Sequence, residues 1–151
     1  NFEPYVMFLD GEYWGVYWLC EKYNKEYLEH YYGVDSHSVI MVKNGELAAG
    51  DQEGFRLWEN MVDACETLDV TQEENYATVC DLIDIDSYID YYAVMIYAGR
   101  TIDWPNSNYE AWRTKGIDNN QEYSDGKWRW MVFDMNSPGM STEFIELDSI
   151  E

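Results

Sequence analysis

The spacing of hydrophobic positions changes along this chain, and each change marks an element. Phe2 to Leu9 and Tyr13 to Glu21 are runs of aromatic and β-branched residues separated by Asp10-Gly11-Glu12. That pattern predicts a β-hairpin, because Asp-Gly adopts the positive backbone angles a tight hairpin turn needs. Asn24 stands before a short helix reaching about His30 to Tyr32, with Gly33 as its stop. Val39 to Lys43 reads as a brief apolar strand and Asn44-Gly45 as a turn. From Gln52 to about Leu68, residues Phe55, Leu57, Trp58, Met61, Val62, Cys65 and Leu68 recur mostly every three or four positions, which predicts an amphipathic helix.

Thr71 followed by Glu74 reads as a capping box opening a helix to about Ile83. Asp86 is expected to cap another helix, Ser87 to about Ala98. Its Tyr88, Ile89, Tyr92, Val94, Met95 and Ile96 predict deep burial, and Gly99 ends it. Tyr109 to Arg113 and Lys127 to Phe133 then alternate as strands across the polar connection Thr114 to Gly126. Ser137-Pro138-Gly139 breaks the pattern, and the tail to Glu151 is acidic and of no clear type. Strands interspersed with helices predict an α+β fold, and 151 residues suit one domain with a real core.

Charge narrows the partners. Thirty acids against nine bases give a formal net charge of −21, which repels nucleic acid and anionic membranes and favours cations or basic proteins. The 17% aromatic content argues against disorder. No apolar run approaches the ~18 residues of a membrane span, so no membrane insertion is expected. The chain starts at Asn1 without a signal peptide and reads as a mature or excised piece of a longer protein. Cys20, Cys65 and Cys80 form no CxxC pair and read as buried free thiols, a Cys65–Cys80 bridge remaining open. His30 and His37 are too few for a histidine-rich metal site.

The candidate chemistry sits in Asp103-Trp104-Pro105-Asn106-Ser107-Asn108 and in Asp134, which leaves the last strand. An aspartate, an asparagine five positions on, a hairpin and a second aspartate follow the order in which protein kinases hold magnesium-ATP against a hydroxyl. Asp103 would orient the attacking hydroxyl, and the hard oxygens of Asn108 and Asp134 would hold the metal. The same stretch also reads as a turn whose side chains satisfy their own backbone. A carbohydrate- or protein-binding module is the competing reading, with Trp14, Trp18, Trp104, Trp112, Trp128 and Trp130 as a stacking surface. A glycosidase needs two facing carboxylates, and thirty acids select no pair.

Three segments in order carry a resemblance: Gly11-Glu12-Tyr13-Trp14-Gly15-Val16-Tyr17 with Glu21-Lys22, Asp103-Trp104-Pro105 with Asn108-Tyr109, and Trp128-Arg129-Trp130-Met131-Val132-Phe133-Asp134-Met135. Together they resemble the bacterial spore coat protein H (CotH) kinase family. The resemblance implies an atypical protein-kinase-like fold. Residues 1–23 would be the end of a small lobe and its hinge, and 24–151 a mainly helical large lobe whose hairpin carries the metal site.

It also implies a secreted enzyme that phosphorylates serine in a basic or serine-rich protein, using ATP and Mg2+ or Mn2+, outside the cell, on its surface or in a spore coat. Asp103 would be catalytic, Cys20, Glu21 and Lys22 would meet the nucleotide, and Asn108, Asp134 and Asn136 would face the metal. Two positions depart from the family pattern: Ser107-Asn108 replaces paired asparagines, and Asn136 replaces a second acid. The nucleotide-anchoring lysine would belong to upstream small-lobe residues, since the chain has no glycine-rich phosphate loop of its own. Lys22 and Lys43 are candidates for phosphate contact, but each reads first as a surface lysine.

Overall fold

The computed structural model describes residues 2–99, 104–105 and 107–132. Two strands, β1 (Phe2–Leu9) and β2 (Glu12–Cys20), pair antiparallel into the expected hairpin. Asp10 (φ 49°) and Gly11 (φ 84°) both take positive φ at its turn, matching the right-handed twist of the strands they join. The hairpin is exposed on both faces, with Phe8, Trp14, Val16, Trp18 and Leu19 all open to solvent.

Helix α1 (Lys25–Tyr32) starts as expected. The Tyr27 N–H donates to Asn24 Oδ1 at 2.9 Å, and Gly33 closes the helix in the left-handed conformation at φ 69°. The centre of the fold is a four-stranded antiparallel sheet ordered β4-β3-β5-β6, from β3 (Val39–Lys43), β4 (Glu46–Ala49), β5 (Glu110–Thr114) and β6 (Arg129–Met131). Asn44 (φ 52°) and Gly45 (φ 79°) turn β3 into β4 with the same two-residue geometry as the first hairpin. β4 was not expected, because Glu46-Leu47-Ala48-Ala49 lacks β-branched and aromatic residues. Pairing with β3 imposes the strand on it.

Alternation along β3 explains its unbroken apolar run, because the sheet is covered on both faces. Val39 and Met41 join Leu28, Val34, Trp112 and Met131 on the α1 side. Ile40 and Val42 face the other way, toward Trp58, Met61, Val79, Ile83, Ala111 and Trp128. Trp58 and Met61 come from α2 (Gln52–Thr67) and Val79 from α3 (Glu73–Leu82). Gly54 in the first turn of α2 permits this approach, since a Cβ there would overlap the Ile40 side chain.

Two caps differ from expectation. Thr71 does not cap α3: its backbone N–H and hydroxyl both donate to Asp69 Oδ1 (3.1 and 2.7 Å), and the helix opens at Gln72 without a side-chain cap. An aspartate two residues upstream is a charged acceptor that wins both donors. Helix α4 (Ile85–Tyr97) is capped by Asp84 rather than Asp86, with the Ser87 N–H donating to Asp84 Oδ1 at 3.0 Å.

Asp84 sits where the chain runs alongside the approach to β6. The Asp84 N–H donates to the Trp128 carbonyl (3.0 Å), and the Trp128 N–H to the Leu82 carbonyl (2.9 Å). Helix α4 is also less covered than its composition predicts. Tyr91 and Met95 are buried, whereas Ile89, Val94, Ile96 and Tyr97 are exposed. The cysteines are free as expected, but they are not buried as expected: Cys20 and Cys65 are exposed and Cys80 half-buried, because no described residue packs over the first hairpin or the outer side of α2.

Candidate active site

Antiparallel pairing fixes which chain ends meet. Lys43 pairs with Glu110, and Glu110 with Met131, so the end of β3, the start of β5 and the end of β6 lie at one end of the sheet. The chain therefore enters β5 from Asn108 and leaves β6 through Val132 at that same end. Asn108, at the entry to β5, is an expected site residue, and Val132, at the exit from β6, is the described residue nearest in the chain to Asp134. Asp103, Asn106, Asp134 and Asn136 lie outside the described residues, so the expected convergence of Asp103, Asn108 and Asp134 lies outside them too.

Asn108 adopts φ 58°, the left-handed region that asparagine tolerates better than most residues. The next residue is gripped from β3. The Asn44 N–H donates to the Tyr109 carbonyl at 3.1 Å, and the Tyr109 N–H donates to Asn44 Oδ1 at 3.3 Å. A Cβ on Gly45 would lie 3.2 Å from the Tyr109 hydroxyl, so the turn and the ring fit closely. Tyr109 also stacks on Trp58, with ring centroids 6.3 Å apart.

The other side of the loop is held through aromatic rings. Tyr92 of α4 meets the Trp104 ring edge-on at 5.0 Å, Tyr88 lies 4.5 Å from Tyr92, and Trp130 of β6 meets Tyr88 at 4.8 Å. Such contacts each contribute about 0.5–1.5 kcal/mol beyond burial. Burial, then the hydrogen bond with Tyr92, pushes the Tyr88 hydroxyl well above its ordinary value. Trp104 is thereby connected to the core through α4.

Glu110 is a buried carboxyl at this end of the sheet. Desolvation raises its pKa, and the positive charge of Lys43 across the strand pair opposes that rise in part. Lys43, weighed as a phosphate contact, is half-buried beside this carboxyl. The residues expected to meet the nucleotide lie at the exit of the first hairpin. Cys20 ends β2, its thiol donating to the Trp18 carbonyl at 3.7 Å. Glu21 accepts a 2.6 Å hydrogen bond from the Tyr31 hydroxyl, which holds its carboxyl below the ordinary value. Lys22 is exposed in the link to α1.

Among the described residues no group of three or more His, Cys, Asp or Glu side chains gathers to hold a metal ion. The described donor, Asn108, brings an amide oxygen, a hard ligand of the type magnesium accepts. A stacking surface built on the tryptophans is not formed. Trp112 and Trp128 are buried in the core and Trp104 and Trp130 are half-buried, which leaves Trp14 and Trp18 exposed. Asn44, Tyr92 and Glu110 are not among the site residues that the sequence suggests. Asn44-Gly45 signalled a turn, but no local signal says that the turn grips Tyr109.

The fold is α+β, with two small antiparallel sheets and four helices among the described residues, and its sheet end is built around the loop that carries Asn108. The chain belongs to the CotH kinase protein family, whose model matches residues 1–143, and at the level of that family it is kinase-like. No curated protein matches the chain, and no solved structure does. No helix among the described residues is long and apolar enough to cross a membrane.

Proposed function

We propose that this chain carries the catalytic part of a secreted protein kinase that transfers the γ-phosphoryl group of ATP to a serine hydroxyl. The family match over residues 1–143 carries the reading. The shared end of β5 and β6, where Asn108 enters and Val132 leaves, supports it. Asp103 accepts the serine proton as the serine oxygen bonds to phosphorus and the bond to the ADP oxygen breaks. Asn108, Asp134 and Asn136 supply oxygen ligands on the metal side, and Cys20, Glu21 and Lys22 line the approach of the nucleotide.

A bound Mg2+ or Mn2+ neutralises phosphate charge during transfer. A chain with net charge −21 has particular need of such a cation to accept a polyanion. The same field favours a basic or serine-rich protein substrate met outside the cell, at its surface or in a spore coat. The first hairpin is completed by upstream small-lobe residues of the same protein, which carry the lysine that anchors the nucleotide.

The test is transfer of labelled phosphate from ATP to a serine-rich protein by the full-length enzyme, with Mg2+ or Mn2+. Transfer is expected in the parent and abolished in Asp103→Ala. Undiminished transfer in that variant removes Asp103 from the mechanism.

A further inference from the structure

We infer that Asn44 is a positioning residue for the metal-side ligand Asn108, acting through the backbone of Tyr109; this rests on the reading of Asn108 given above. Asn44 is 64 positions away from Asn108 in the chain, yet it makes both hydrogen bonds to the residue that follows it. Its N–H donates to the Tyr109 carbonyl (3.1 Å), and its Oδ1 accepts the Tyr109 N–H (3.3 Å). The peptide joining Asn108 to Tyr109 contains the N–H that Asn44 accepts. Its plane, and with it the direction in which Asn108 leaves the loop, is therefore tied to β3.

Asn44 can serve this way because its own backbone is set first. Asn44 and Gly45 form a tight turn with φ 52° and 79°, and the flanking Lys43–Glu110 pair locks β3 to β5 one residue away. Outer partners of metal ligands commonly change affinity by about 10–100-fold when removed.

Two variants separate the side chain from the turn. Asn44→Gly keeps the positive φ and deletes only the acceptor, whereas Asn44→Asp keeps an acceptor oxygen in place. The experiment measures exchange of the Tyr109 amide hydrogen, Mn2+ binding followed by the paramagnetic signal of the free ion, and thermal melting, all in the full chain without nucleotide. Asn44→Gly is expected to speed Tyr109 exchange and to weaken Mn2+ binding, each about tenfold, with melting shifted by only a few degrees. Asn44→Asp should stay near the parent in both.

Mn2+ binding in Asn44→Gly equal to that of the parent overturns the inference, whatever the exchange shows. Weaker binding with unchanged Tyr109 exchange also overturns it, because the hydrogen bond is then not the route. A parent chain that takes up no Mn2+ overturns the metal-side assignment of Asn108 itself, a different result from binding that is indifferent to Asn44.

Discussion

Arg129 and Asp125 form a two-pronged ion pair inside the fold, with Nη1 donating to Oδ1 at 2.8 Å and Nη2 to Oδ2 at 2.7 Å. The guanidinium is buried, lies 5.8 Å from the Trp112 ring centre and 5.3 Å from that of Tyr123, and pairs through Nε with Asp84 at 2.9 Å. One arginine thus joins the β5–β6 connection, the core face of β5 and the cap of α4. Burial opposes both charges of the Arg129–Asp125 pair. The hydrogen bonds more than offset it, so the Asp125 pKa is lowered and that of Arg129 raised.

Asp125→Asn should cost about 1–3 kcal/mol at neutral pH, less than breaking a fully buried pair, because Asp125 is half-buried and Asp84 stays beside the guanidinium. A carboxyl with a lowered folded pKa stabilises above its unfolded value and loses that contribution as pH falls through the folded value. The difference between parent and variant should therefore shrink on acidification below the ordinary value of 3.8. Urea unfolding across that range would show it, and a pH-independent difference would contradict the assignment.

Glu110 has the opposite sign. Its folded pKa is raised above the ordinary 4.5, so its contribution is present below the unfolded value and is lost as pH rises through the folded one. Glu110→Gln should melt higher than the parent at neutral pH and converge with it at pH values below 4.5. Melting curves at the two ends of the range test this. A variant less stable than the parent at neutral pH would mean that the attraction of Lys43 outweighs desolvation.

Tyr92 meets Trp104 ring to ring, edge-on. Tyr92→Phe should therefore retain phosphate transfer. On the role proposed for Asp103, Tyr92→Ala removes the ring that meets the neighbouring Trp104 and should lower kcat by about tenfold to 100-fold, since misplacement of about 1 Å can cost about 100-fold. Steady-state kinetics on both variants decide it, with equal losses in the two arguing against a role for the ring.

At Gly54 two effects compete. Alanine is the better helix former by about 1 kcal/mol, whereas overpacking costs about 1–3 kcal/mol. The added Cβ would sit 2.6 Å from Ile40 Cγ1, in the branched part of a buried side chain with little room to retreat. Gly54→Ala should therefore be destabilising on balance, by up to about 2 kcal/mol. A rise in melting temperature would show that β3 and α2 separate easily.

Features governed by local chemistry were legible in the sequence. Asp10-Gly11 and Asn44-Gly45 each specify a two-residue turn through backbone preference, and Asn24 and Gly33 bracket α1 in the same way. Features decided by a distant partner were not. Glu46 to Ala49 becomes a strand only because β3 offers an edge, and Asp84 rather than Asp86 begins α4 in a place where Arg129 and Trp128 also hold it. Ile89 and Ile96 carry the composition of a buried helix, but burial depends on what lies opposite, which periodicity does not encode. The candidate site divides likewise: the spacing from Asp103 singles out Asn108 as a candidate in the sequence, whereas Asn44 becomes visible only once β3 and β5 are paired.

The left-handed backbone at Asn108 narrows what this position can become over evolutionary time. Asparagine, aspartate and glycine enter that region most readily. Of these, glycine brings no side-chain oxygen, so a lineage that keeps both the loop geometry and a metal-facing ligand is confined largely to asparagine and aspartate. On the metal-side role proposed for Asn108, drift from one to the other would change the charge at the cation by one unit, a ready means of tuning metal preference while leaving the fold intact.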